Sequence, residues 1–255
     1  MPDDLVLTER HDNVVLMTLN RPDARNAVNK ALAEAMATAL IELDADDSLR
    51  VGVLTGAGKG FSAGMDLKAF AEGGMPMVEG RGFAGIVEKS CRKPLIAAVE
   101  GFALAGGLEI ALSCDLLVAA AGSRLGIPEV TVGLFAGAGA LLRLPRQLPY
   151  GTAMEMALTG EPITAERAHE LGMVTRLAGP GEAVTVALEL AKRIAGNAPL
   201  GVAASKQILR EVAGVSEDDF WALQQPHMQA VFSSEDAMEG AVAFAEKRPP
   251  DWKGR

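Results

Sequence analysis

Two carboxylates stand out among the residues able to do chemistry. Glu109 lies three residues after Gly106 in AGGLEIALSC, in the first turn of a predicted helix, and Glu129 follows Pro128 in LGIPEVTVG. A first-turn carboxylate commonly satisfies unpaired N–H groups of its own helix, and Pro followed by Glu commonly opens one. Taken singly, each residue fits such a capping role better than a catalytic one. Their setting argues the other way. Both lie in strongly apolar sequence, where an unpaired charge is costly. A buried pair with split pKa values is also what acid–base chemistry near neutral pH requires.

The second feature is a repeated layout. VLTGAGKGFSAGMDLKAF (53–70) and AAVEGFALAGGLEIALSCDL (97–116) each run from an apolar strand through a glycine-rich turn into a helix start. At such a junction main-chain N–H groups point outward unpaired, and the helix dipole adds partial positive charge. One junction can bind a phosphate or carboxylate. Two junctions converging on one point can hold a developing oxyanion, the larger catalytic effect; sequence alone does not show convergence. The spacing is not that of a P-loop and no GxGxxG follows either strand, which argues against a nucleotide phosphate.

Other polar residues carry less. Asp66, beside Lys68, reads as a helix-start acid with a local ion pair. The three histidines are scattered, and His169 on an amphipathic helix reads as exposed or satisfied. Ser62 sits in FSAG, not in the GxSxG elbow of a hydrolase nucleophile. The basic ending AFAEKRPPDWKGR reads as a solvated tail, although it could reach a ligand phosphate.

The elements that must position these residues alternate. Residues 5–20 predict a hairpin turning at 11–13, residues 28–44 a helix, and 51–56 a buried strand. A glycine-rich loop with some helix follows to about Arg81. Residues 95–103 predict one strand, 105–114 a helix starting at the glycines, and 115–121 another strand. From Ala136 the chain is mainly helical, with one strand at 173–177 and three helical segments over 182–255. This order implies an α/β architecture with strands buried on both faces.

Composition bounds the rest. The 255 residues suffice for one large domain or a domain with an appendage. With only 4% aromatics, the core must be built from Ala, Val, Leu, Ile and Met. The net charge of −9 argues against nucleic acid or an anionic membrane as partner, but not against a small anionic ligand. Cys91 and Cys114 lack metal-ligand spacing, so no metal site is expected and the thiols read as reduced in a cytoplasmic protein. MPDDLVLTER has no secretory signal pattern. The apolar stretch 95–121 is interrupted by Glu100, Glu109 and Asp115, so it is no transmembrane helix.

Six ordered blocks carry a resemblance: LNRPDARNAV (19–28), GKGFSAGMDLKAF (58–70), KPLIAAVEGFALAGGLEIALSCDL (93–116), IPEVTVGLFAGAGALLRLPR (127–146), GEPITAERAHELGMVTRL (160–177) and EDAMEGAVAFAEKRPPDWKGR (235–255). Together they resemble the crotonase (enoyl-CoA hydratase/isomerase) family over nearly the full length. The resemblance implies a spiral of repeated β-β-α turns over residues 1–196 and a helical region over 197–255 that packs homotrimers, often paired into hexamers. It implies that the N–H groups of Met65 and Gly106 form an oxyanion hole for a thioester carbonyl. Ala63, Asp66, Leu67 and Lys68 would line the acyl-CoA path, and Ala24 and Arg25 match the stretch contacting the CoA moiety. Coenzyme A belongs to the substrate, and no further cofactor is implied.

Hydratases of the family carry two glutamates, matched here by Glu109 and Glu129, so the resemblance favours hydration of a 2-enoyl-CoA thioester or its reverse. Carnitinyl-CoA dehydratase-like chemistry and enoyl isomerisation are the alternatives; isomerisation needs only one carboxylate. A non-catalytic acyl-CoA-binding member would not need the acid–base pair. Two positions depart from the family pattern. Ala105 stands where a third glycine is usual, and Met65 is larger than the usual small residue.

Overall fold

In a computed structural model describing residues 4–255, β1 (Val6–His11) and β2 (Val14–Leu19) form the predicted hairpin, with His11 opposite Val14. The Asn29 side chain then caps α1 (Lys30–Ala45), accepting from the Leu32 N–H at 2.9 Å. Leu32, Met36, Leu40 and Leu43 recur at helical spacing and bury one face of α1. β3 (Val51–Gly56) follows, then the short helix α2 (Leu67–Ala71) and the small antiparallel ladder of β4 (Met77–Val78) and β5 (Gly82–Phe83).

The stretch 95–103, expected as one strand, is two strands in different sheets. β6 (Leu95–Val99) belongs to the central sheet, and β7 (Phe102–Leu104) to a second, smaller one. The chain turns between them at Gly101, whose φ of +60° suits a residue without a β-carbon; a side chain there would overlap the Lys59 carbonyl. α3 (Gly106–Ser113) follows β7. The next unit repeats the plan: β8 (Leu116–Ala120) enters the central sheet, β9 (Arg124–Gly126) the second, and a 3-10 helix (Pro128–Val132) closes it. Successive strand–strand–helix units stacked in this way form the expected spiral.

α4 (Ala140–Gln147), α5 (Tyr150–Thr159), β10 (Ile163–Thr164), α6 (Ala165–Glu170) and β11 (Arg176–Ala178) continue the chain. β11 starts later than expected because the Met173 and Val174 N–H groups both go to Ala168 O, closing α6. The central sheet runs β1-β2-β3-β6-β8-β11 and is parallel beyond the hairpin; the second runs β10-β9-β7.

Four helices, not three, follow residue 182: α7 (Ala183–Ala195), α8 (Pro199–Glu211), α9 (Glu217–Phe232) and α10 (Glu235–Glu246). Pro199 opens α8, and Ser216 and Ser234 cap α9 and α10 through hydroxyls that accept from Asp219 N and Ala237 N. Small residues let α7 lie close on the sheet. Ala183, Ala187, Ala191 and Ala195 form an i, i+4 stripe against Val14, Val53, Ile96 and Val118.

The basic C-terminal residues are docked, contrary to the expectation of a solvated tail. Both oxygens of buried Asp236 accept from main-chain N–H groups, Lys253 at 2.6 Å and Gly254 at 2.9 Å. The Trp252 indole donates to Gly196 O, and Arg50 donates to Trp252 O. Arg248 is paired with Glu239 and Glu246. No helix among the described residues is long and apolar enough to cross a membrane.

Candidate active site

The two glycine-rich turns meet. Ser62 pairs with Ala103 in a parallel bridge, and Leu104 N donates to Ser62 O at 3.0 Å. This contact aligns residues 62–65 with 103–106. A β-carbon on Gly107 would overlap Ser62 O, so only glycine permits so close an approach. Among the described residues neither Met65 N nor Gly106 N donates to a protein acceptor, and no side chain caps the start of α3. Gly106 is buried beneath the Phe83 ring, and Met65 is half-buried. Two unpaired amides at one spot, one of them opening a helix, can together polarise a carbonyl oxygen. Ala105, between them, holds φ +52° and ψ −132°, a conformation costly for any residue with a β-carbon.

The two carboxylates are brought to the same place. Ala105 N donates to Gly126 O at 2.9 Å, tying the start of α3 to the end of β9 and so bringing the Pro128–Val132 helix beside it. Glu109 is 3% exposed. It does not cap its own helix: its Oε1 accepts from Ala138 N at 2.7 Å and Ala140 N at 3.0 Å, at the start of α4. Burial raises the Glu109 pKa above the ordinary carboxylate range, opposed by those two N–H groups and by the Arg143 charge. Glu129 has less support. Its Oε2 is buried without a hydrogen-bond partner among the described residues. Burial pushes its pKa up to about 7, against one main-chain hydrogen bond, and the neighbouring Glu109 charge pushes the same way. Both carboxyls are thus shifted upward by burial, but Glu109 has two N–H donors and a nearby cation favouring its charged form, whereas Glu129 has a single main-chain hydrogen bond and is driven further toward its protonated form.

The remaining predicted residues flank Met65 in the chain or lie on the 24–25 turn bonded to that stretch. Ala63 is half-buried, and its N–H goes to Arg25 O at 3.0 Å. Ala24 ends a 3-10 turn (Pro22–Ala24) and is half-buried, whereas Arg25 is exposed with φ +53°. Leu67 and Lys68 are exposed at the start of α2. Asp66 caps that helix, as expected of a helix-start acid, accepting from Lys68 N and Ala69 N. Its ion pair is with Arg21 at 3.0 Å rather than with Lys68. Burial acts to raise the Asp66 pKa, but the Ala69 N–H and Arg21 outweigh it and hold the carboxyl below its usual value. His169 is satisfied, its Nδ1 lying 2.8 Å from Val174 O.

Two side chains not singled out in the sequence support this arrangement. Fully buried Asn26 accepts from Arg21 N and donates to Ala57 O and Gly60 O, each at 2.9 Å, while its own carbonyl accepts from Ser62 Oγ. Its φ of +54° is one that Asn tolerates better than most residues, the only local signal available. Arg143, the other, reaches Ala138 O and Val87 O from α4; nothing in LLRLPR marks it out from neighbouring Arg146.

A β-β-α spiral presenting two free amides beside an acid pair defines the crotonase class of proteins. Within that class, the chain belongs to the enoyl-CoA hydratase/isomerase family, whose model matches residues 9–255. A carnitinyl-CoA dehydratase of Salmonella arizonae is 42% identical, with all of both chains covered. Two solved structures are also similar. An enoyl-CoA hydratase of Mycobacterium marinum is 56% identical with a TM-score of 0.97, covering 99% of this chain and 100% of that one. One of Mycobacterium tuberculosis H37Rv is 54% identical with the same TM-score and coverage.

Proposed function

We propose that this chain is a 2-enoyl-CoA hydratase, adding water across the 2,3 double bond of an enoyl-CoA thioester to give a 3-hydroxyacyl-CoA. The observation that carries the reading is the unequal environment of two neighbouring carboxylates, Glu109 held by N–H donors and Glu129 with a bare, buried oxygen.

In this reading the thioester oxygen accepts from Met65 N and Gly106 N, so negative charge building on it during water addition meets two fixed donors. Ionised Glu109 takes a proton from water as its oxygen attacks C3. Glu129, protonated near neutral pH, gives its proton to C2. One proton enters the pair and one leaves, so the resulting acid–base states are exchanged and a proton shift restores them. The exposed side of the Met65 turn, with Ala63, Asp66, Leu67 and Lys68, forms the acyl-CoA path through its main chain and apolar atoms, and Ala24 and Arg25 lie where the CoA moiety runs. Coenzyme A enters as part of the substrate, and the mechanism calls for no metal or further cofactor.

Residues 197–255 serve as the helical oligomerisation region beside a 1–196 core, giving a homotrimer or a dimer of trimers. Exposed Trp221, Phe232, Met238 and Phe244 on α9 and α10 support burial of that surface against other copies. Two free, buried cysteines accord with a cytoplasmic setting.

The second reading is dehydration of a carnitinyl-type thioester, favoured by the name of the Salmonella relative. The same pair run in reverse performs that step, so the two readings differ in substrate rather than machinery. Mixing the protein with crotonyl-CoA and, separately, with carnitinyl-CoA tests both: loss of the enoyl-thioester absorbance is expected with the first. Turnover of carnitinyl-CoA alone would replace the hydratase reading, and turnover of neither would sink both.

A further inference from the structure

We infer that Arg143 is a positioning residue for this site, clamping the Ala138–Ala140 turn, whose Ala138 and Ala140 N–H groups hold the Glu109 carboxylate. The inference rests on the hydratase reading for its kinetic consequences, but its geometry stands independently.

The two N–H groups that Glu109 accepts, from Ala138 and Ala140, lie on a turn with no side-chain cap of its own. α4 begins after Gly139, which has φ +102°. Such a turn is intrinsically soft, because glycine restricts its backbone little. Arg143 fixes it from one turn further along α4. Its Nη1 donates to Ala138 O at 3.3 Å, and its Nη2 donates to Val87 O at 2.5 Å. Val87 follows the Phe83–Ile86 segment, and the Phe83 ring covers Gly106. The guanidinium therefore ties the Glu109 support to the stretch that roofs the oxyanion-forming turn. A side chain on Gly139 would overlap the guanidinium, so the glycine makes room for the clamp.

Arg143 touches main-chain carbonyls rather than Glu109, so it acts through the turn and through its charge. Glu109 faces Glu129 from the 3-10 helix and Arg143 from α4; Arg143 in turn faces Arg210 on α8, Arg146 on its own helix and Cys114. The planar fork matters: bridging two carbonyls in different directions is a geometry that a lysine ammonium does not reproduce.

The test uses the full-length protein with Arg143→Met and Arg143→Lys. A displaced Glu109 is expected to lower crotonyl-CoA kcat by about 10²-fold in Arg143→Met with little change in KM. The acid limb of its pH profile should move to higher pH, since the cation favouring ionised Glu109 is gone. Arg143→Lys should restore the acid limb but not kcat. Unchanged kcat and pH profile in Arg143→Met, or in Arg143→Lys should the Met variant not fold, would overturn the inference. So would a parallel loss of thermal stability and activity with an unmoved acid limb. Carboxyl carbon NMR of Glu109 gives a readout independent of turnover: its titration midpoint should rise in Arg143→Met, and an unmoved midpoint would overturn the clamp. A wild-type protein inactive on crotonyl-CoA, with that midpoint still raised by the substitution, keeps the clamp and removes the hydratase reading alone.

Discussion

A β-carbon built on Gly64 would lie 2.7 Å from the amide nitrogen of Gly106, so the residue preceding Met65 is in contact with the turn that supplies the second free N–H. The same β-carbon would sit 2.9 Å from that of Ala105, and Gly64 holds φ +93°. Gly64→Ala must therefore separate the two amides or strain both turns. The expected result is a loss of about 10²–10³-fold in kcat, the scale of removing one oxyanion donor. Steady-state hydration of crotonyl-CoA measures it, and a loss below about threefold would mean that these amides do not share one oxygen.

Ala105 adopts a glycine-like backbone conformation beside that contact. Relief of strain worth about 1–3 kcal/mol, less the added chain entropy of glycine, gives Ala105→Gly a net stabilisation of about 1 kcal/mol. Thermal unfolding should show a midpoint raised by roughly 2–4 °C. A lowered midpoint would show that the strain is compensated elsewhere.

Asn26→Ala leaves the Arg21 N–H and the Ala57 and Gly60 carbonyls without their partner, and puts alanine at φ +54°. The expected cost is about 3 kcal/mol. For a chain of this size that lowers the thermal midpoint by roughly 6–12 °C. A change within about 1 °C would remove Asn26 from the framework of the site.

The ionisation of Glu129 makes stability depend on pH. Its folded pKa of about 7 lies above the ordinary value of 4.5, so the folded state binds the proton more tightly than the unfolded chain. The stabilising contribution is complete below pH 4.5 and is lost as pH rises through about 7. Glu129→Gln removes the buried charge, so it should stabilise the protein at pH 8 by about 1–3 kcal/mol relative to its effect at about pH 4, where the wild-type carboxyl is protonated in both states. Calorimetry at the two pH values checks this, and equal shifts at both would place the Glu129 charge in solvent.

Much of this architecture was legible in the sequence, because its signals are local. The hairpin at 6–19, the helix after Asn29 and the helix start at Gly106 follow from periodicity, a cap and a glycine cluster. The pairing of Glu109 with Glu129, 20 residues apart, rested on the family resemblance. What hid was tertiary. Gly101 splits an apolar run between two sheets because a neighbouring carbonyl leaves no room for a side chain, and no local rule reports that neighbour. The partner of Asp66 is Arg21, 45 positions away, where proximity in sequence suggested Lys68. Asp236 recruits the C-terminal N–H groups from 17 and 18 residues away, which composition misreads as a free basic tail.

The central claim is that Glu109 and Glu129 act as one pair on one substrate. Crotonyl-CoA hydration by Glu109→Gln and Glu129→Gln, each confirmed folded, tests it most directly. Each variant is predicted to lose about 10²–10⁴-fold in kcat, and the double variant scarcely more than either alone, as for groups that serve one step. Near-full activity in either single variant would contradict the account.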